Sequence, residues 1–218
     1  MQKQEIIQFH TLFAQIKEEL ERLAEIIIKH DIYILSDEIY DRLIYDQNKH
    51  ISIASLNEEI KERTLLVNGA SKAFSMTGWR MGWLAVPKDL IGTLKKIQSQ
   101  TTHHPCSITQ KATVAALTQA QDFLTDWIKE FDERRKFIVE RLNKIKGIQC
   151  LMPQGAFYVF PRIKELLQKK YKDTLITDSL VFCKQLLLEE KVAVVPGVAF
   201  GLDGYFRISY AASMKDIQ

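Results

Sequence analysis

Short unbroken apolar runs alternate with amphipathic stretches along the first 120 residues of this 218-residue chain, and that alternation constrains the fold more than any other feature. The runs DIYILS at 31–36, TLLVN at 64–68 and WLAV at 83–86 read as short strands of a buried sheet. Between them, apolar residues return at steps of three and four, the spacing that lines one face of a helix. Ile16, Leu20, Leu23 and Ile27 form the first such set, ending near His30. Leu90, Leu94 and Ile97 mark a second helix over 87–100, and 108–120 reads as a third. Strands alternating with helices predict an α/β fold whose sheet is mostly parallel.

The pattern changes after residue 120. Leu124, Ile128, Phe131, Ile138, Leu142 and Ile145 predict one long helix over 122–146, with Gly147 placed to cap it. Beyond it, GAFYVF at 155–160, KVAVV at 191–195 and FRISY at 206–210 read as strands, with a helix at Ser179–Glu190. A smaller α+β domain is the expectation, and the long helix is the natural link. The predicted boundaries are 1–135 and 136–218.

Composition narrows the function. With 46% hydrophobic and 26% charged residues the chain can bury a core. A net charge of +3, spread evenly, gives no basic patch for nucleic acid or an anionic membrane, so a small-molecule partner is the expectation. Cys106, Cys150 and Cys183 are far apart and form no Cys-x-x-Cys pair, which suits a reduced, cytoplasmic setting. No apolar run approaches the ~18 residues of a membrane span.

Two segments carry chemistry. The first, VNGASKAFSMTGWRMGW at 67–83, follows a strand with a turn of small residues holding Lys72, and Arg80 lies eight positions on. A lone loop lysine is ordinarily a solvated one. Here the neighbours are apolar, and desolvation favours the neutral, nucleophilic amine. The second, SDEIY at 36–40, places Asp37 and Tyr40 at the carboxyl end of a predicted strand, where ligands of open α/β sheets bind. A carboxylate there can keep a pyridine nitrogen protonated, although an Asp and a Tyr can also simply cap a turn.

Taken together, SDEIYDRLIY at 36–45, NGASKAFSMTGWRMGW at 68–83 and PGVAFGLDGYFRISYA at 196–211 resemble the class I and II aminotransferases, fold type I enzymes dependent on pyridoxal phosphate, and among them the aspartate aminotransferase branch. The resemblance implies part of that family's three-layer large domain, followed by a smaller carboxy-terminal domain. It implies that Lys72 forms the Schiff base with pyridoxal 5'-phosphate and then acts as general base. It further implies that Asp37 partners the pyridinium nitrogen, that Tyr40 hydrogen-bonds the ring oxygen, that Ser71 and Arg80 bind the phosphate, and that Arg207 clamps the substrate α-carboxylate. The activity implied is transfer of an amino group between an amino acid, aspartate first, and a 2-oxo acid, 2-oxoglutarate first. A pyridoxal-dependent lyase, or an inactive remnant that only binds, would keep many of the same residues. Prephenate and aromatic aminotransferases would keep the same lysine segment.

The chain departs from the family in length, matching the latter half of such an enzyme and reading as a fragment. Where the family carries Asn-Pro-Thr-Gly, this chain has Phe9-His-Thr-Leu12, which keeps only Thr11. Edges that the missing half would cover are expected to promote association, and a homodimer fits the family. Elsewhere, His103 and His104 have no third ligand spaced near them, so no metal site is assigned. Trp79 and Trp83 read as core, and Phe157 and Tyr158 read as strand packing or pocket lining.

Overall fold

A computed structural model describes residues 6–10, the first of these segments by backbone alone, together with 17–119 and 121–218. They fall into two units, Met1–Asp126 with Gln154–Ala156 and Trp127–Pro153 with Phe157–Gln218.

In the first unit, β1 (Ile6–His10), β2 (Tyr33–Asp37), β3 (Thr64–Gly69) and β4 (Gly82–Ala85) form one sheet in that order. The first three strands run parallel, and β4 pairs antiparallel with β3. The helix α1 (Lys17–Lys29) forms because Leu20, Ala24 and Ile27 recur along one face, with Glu18 and Glu19 in the first turn and Lys29 in the last complementing the helix dipole. That face packs against Ile34 of β2, Ile53, and Ile60 of the short helix α2 (Glu58–Lys61). Ile27, Ile34 and Ile60 are fully buried, each contributing about 1.5–3 kcal/mol. Asn57 caps α2 by accepting from the Ile60 amide at 2.9 Å. Ile16, which the periodicity adds to the first helix, lies outside the described residues, as does Thr11.

After β4 come α3 (Lys88–Gln100), α4 (Ser107–Thr118) and the long α5 (Phe123–Asn143), whose first four residues belong to the first unit. The sequence reading puts Trp79 in the core, whereas it is 45% exposed. It stands in the 3-10 turn Thr77–Trp79 rather than in a strand, so no pleat turns it inward.

The second unit holds a three-stranded antiparallel sheet of β5 (Tyr158–Val159), β9 (Phe206–Ser209) and β8 (Val195–Pro196), with β9 central. A hairpin of β6 (Lys169–Tyr171) and β7 (Thr174–Ile176), the helix α6 (Ser179–Glu190) and the short α7 (Met214–Ile217) complete it. Asp178 caps α6 through the Val181 amide at 2.9 Å. Two strands are shorter than the sequence suggests, for identifiable reasons. Gly155 and Ala156 pair with 43–45 in the first unit, where the Ala156 amide donates to Leu43 O at 2.8 Å, leaving two residues of the 155–160 run for β5. Lys191, in the left-handed region at φ 61°, ends α6, so 191–194 serve as the helix exit.

The β3–β4 pair depends on glycine. Gly69 lies opposite Gly82, and a Cβ on Gly69 would stand 2.9 Å from Met81 O and 3.2 Å from Gly82 Cα. Backbone cannot yield as a side-chain tip does. Gly69→Ala is therefore expected to lower stability by about 1–3 kcal/mol, read as a drop in urea midpoint, while Gly92→Ala, on a site with open space around it, lowers nothing.

Candidate active site

Asp37 ends β2 in register with Val67 of β3, two residues before β3 ends at Gly69, so two segments thirty residues apart in sequence lie at the carboxyl ends of adjacent parallel strands. The Glu38 amide donates to Val67 O at 2.8 Å and carries the ladder one residue further. The chain then turns. Ile39 N donates to Asp37 Oδ1 at 3.3 Å, Asp41 N to Glu38 O at 3.0 Å and Leu43 N to Tyr40 O at 2.9 Å, and these bonds hold Tyr40 in a defined bend.

On the neighbouring strand, Ala70 N donates to Met81 O at 3.1 Å, Phe74 N to Ala70 O at 3.3 Å and Ser75 N to Lys72 O at 3.3 Å. Ala70, Ala73 and Phe74 are buried, which seats this turn in the core while Ser71 and Lys72 stay half-buried. The Lys72 amine lies 5.9 Å from the centre of the Tyr40 ring. The sheet therefore brings Lys72 and Tyr40 together, with Asp37 on the adjoining strand end.

Arg80 follows in the same connection. It is exposed, adopts left-handed backbone (φ 53°, ψ 51°) and donates from Nη1 to Thr77 O at 2.8 Å. Ser75 is left-handed too, at φ 51°. Each such non-glycine residue costs about 1–2 kcal/mol, and such strain collects at functional sites.

Arg207 belongs to the second unit, in β9 opposite Val195. Its guanidinium carbon lies 4.5 Å from the Tyr158 ring centre and 4.8 Å from that of Phe200. Both rings are within cation–π reach of the guanidinium. The second unit also holds a cavity of about 310 Å³, bounded by Leu166, Tyr171, Ile176, Phe182 and Leu186 among others, which includes none of the residues singled out from sequence.

The sequence reading missed one cluster. Glu38, between Asp37 and Tyr40, has a buried carboxylate that accepts from Ser52 Oγ at 2.7 Å, His50 Nε2 at 2.9 Å and Ser36 Oγ at 3.1 Å. An ionised carboxylate can only accept, so His50 presents a protonated Nε2. Burial alone raises the Glu38 pKa. The bonds from His50 and Ser52, the His50 charge and the bond from Ser36 together outweigh burial and hold it below its ordinary 4.5. A signal was available in Ser36 and Glu38, which share a face of an extended strand, but their partners at 50 and 52 were not legible.

A mostly parallel sheet with a lysine turn and a carboxylate turn at adjacent carboxyl ends places the chain in the α/β class. Within it, the chain belongs to the aminotransferase class I and II family, whose profile matches residues 15–218. It is 43% identical over 92% of its length to a probable aspartate/prephenate aminotransferase of Rickettsia conorii, and 44% over 91% to the aspartate aminotransferase of Bacillus subtilis. The crystal structure of the aspartate aminotransferase of Rhizobium meliloti superposes with a TM-score of 0.92 at 39% identity, covering 97% of this chain and 54% of that one. An aromatic aminotransferase of Pyrococcus horikoshii superposes at 0.87, also at 39% identity, covering 97% of this chain and 56% of that one. The chain spans about half the length of the curated relatives it matches, 51% for the Rickettsia protein and 49% for the Bacillus one. Among the described residues, no helix is long and apolar enough to cross a membrane.

Because the folded state depresses the Glu38 pKa, its contribution to stability is fully present above the unfolded value near 4.5 and is lost as pH falls through the lower folded value. Glu38→Gln is expected to lose about 1–3 kcal/mol at pH 7 and to flatten that part of the acid limb in urea titrations run at a series of pH values.

Proposed function

We propose that this chain is the part of an aminotransferase that carries the lysine of a pyridoxal 5'-phosphate site, with the first unit contributing to the large domain and the second to the small one. The observation that carries the reading is Lys72, half-buried in a turn at the end of β3 with its amine 5.9 Å from the Tyr40 ring centre. Members of the family use pyridoxal phosphate. The donor set in the first unit suits that molecule: a carboxylate for a basic ring nitrogen, a phenol for a ring oxygen, a primary amine for an aldehyde, and a hydroxyl with a guanidinium for a phosphate.

When bound, pyridoxal phosphate supplies an electron-withdrawing ring that stabilises the charge left at the amino acid's α-carbon. Asp37 holds a proton on the ring nitrogen, and Tyr40 donates to the ring oxygen. Ser71 and Arg80 donate to the phosphate, Arg80 through a planar fork suited to two oxygens. The Lys72 amine would hold the aldehyde of that group and, as a free amine, would serve as the base that takes a proton from the amino acid's α-carbon and gives it back. Arg207, beside the rings of Tyr158 and Phe200, binds the α-carboxylate and orients the bond to be broken.

The reaction proposed moves an amino group between aspartate and 2-oxoglutarate. The names of the Rickettsia and Bacillus relatives support aspartate, and the former adds prephenate as the competing acceptor. We read the intact protein as a cytoplasmic homodimer. Ile108, Val114 and Leu117 of α4, each at least 44% exposed, favour a covering chain.

Incubation with pyridoxal phosphate followed by borohydride and peptide mapping is expected to place one pyridoxyl group on Lys72 and none in Lys72→Ala. A label spread over surface lysines would sink the reading. In turnover with aspartate, Arg207→Ala is expected to reduce kcat/KM by about ten- to a hundredfold, the loss of a charge-assisted bidentate contact. Comparing 2-oxoglutarate with prephenate as acceptor decides the substrate.

A further inference from the structure

We propose that Glu38 and His50 are positioning residues, a buried carboxylate–imidazole pair that locks the turn bearing Asp37 and Tyr40; the functional part of this proposal rests on the reading of those two residues as cofactor contacts.

The Glu38 side chain is 5% exposed and that of His50 18%, so this pair is not a solvated surface bridge. A carboxylate in such a place must be met by donors, and the three side chains that meet it come from two directions. Ser36 is on β2 itself. His50 and Ser52 lie twelve and fourteen residues on, immediately before the 3-10 turn Ile53–Ser55, whose Ile53 is buried in the core with α1 and α2. The turn at 38–41 is thus tied to the buried core of the unit. The Glu38 backbone is fixed as well, its amide by Val67 O and its carbonyl by the Asp41 amide.

The alternation of a strand gives this arrangement its use. Ser36 and Glu38 share one face, so the intervening Asp37 projects from the other. Glu38 therefore holds the backbone between Asp37 and Tyr40 from behind, without facing what they face. Apolar side chains of similar volume would supply comparable stability, but packing alone imposes no direction. Three charge-assisted bonds on one carboxylate do, and displacements of about 1 Å at a reacting centre cost on the order of a hundredfold in rate.

The test compares Glu38→Gln, His50→Ala and His50→Gln, the last of which keeps an N–H donor. Amide hydrogen exchange of the free chain is read at Ile39 and Asp41 and normalised to Ile34, whose amide bonds to Arg63 O at 2.8 Å in the β2–β3 ladder. For Glu38→Gln and His50→Ala the turn amides are expected to exchange about tenfold faster beyond any rise at Ile34, and His50→Gln is expected to return them to within about threefold of wild type. In parallel, the dissociation constant for pyridoxal phosphate should rise about tenfold in the first two variants and recover in the third. Turn amides that rise no more than Ile34, or an unchanged dissociation constant in folded Glu38→Gln, would overturn the proposal by reducing the pair to a contributor to stability. If His50→Ala does not fold, Glu38→Gln, which keeps the side-chain shape, carries the comparison. If the wild-type chain binds no pyridoxal phosphate, the cofactor reading fails, and the exchange data alone decide whether the pair positions the turn.

Discussion

The parallel pairing of β2 with β3 is the constraint on which the first unit depends. Its register sets Asp37, the last residue of β2, beside Val67, two residues before β3 ends at Gly69. The turn after each strand then opens on the same edge of the sheet, and the Lys72 amine comes to lie near the Tyr40 ring. A shift of that register by one residue would invert every side chain of β2, moving Ile34 out of the core and turning Asp37 onto the face now occupied by Ser36 and Glu38. The burial of Ile34 against Ile27 and Ile60 is therefore the physical guarantee of the site, although none of the three touches it.

Rigidity at the two turns has different sources. The lysine turn is seated by small buried residues, Ala70 and Ala73, and by the close approach of Gly69 to the Met81–Gly82 backbone. It is followed by two left-handed residues, Ser75 and Arg80. The carboxylate turn is held chiefly by polar bonds to Glu38, with Ile39 lying against Gly69. In the second unit a third means appears, the cation–π contacts of Arg207 with Tyr158 and Phe200.

Sequence reasoning worked best where a signal repeats. The helix face of α1 and the runs of β2 and β3 were legible because burial imposes a period on ten or more residues, or an apolar block on five. It failed on short elements. Strands β5 and β8 have two residues each, and β6 and β7 three, too few for any period. The shortening of the 155–160 strand could not be foreseen, because Ala156 bonds to Leu43, more than a hundred residues earlier. Trp79 was misjudged because apolar character says what burial would reward, not whether a 3-10 turn allows it.

The sequence by itself determined the α/β class, the family and the identity of the chemical groups, because Lys72, Asp37, Tyr40, Ser71, Arg80 and Arg207 stand in motifs whose order and composition are readable without coordinates. Tertiary structure decided which of these groups meet and what keeps them in place. The bonds of Glu38 to His50 and Ser52 are the clearest case, since these partners lie twelve and fourteen residues along the chain, beyond the reach of any strand or helix period. Hydrogen bonds between side chains are satisfied in three dimensions, and only the folded path of 41–52 back to β2 brings these donors within reach of one buried carboxylate.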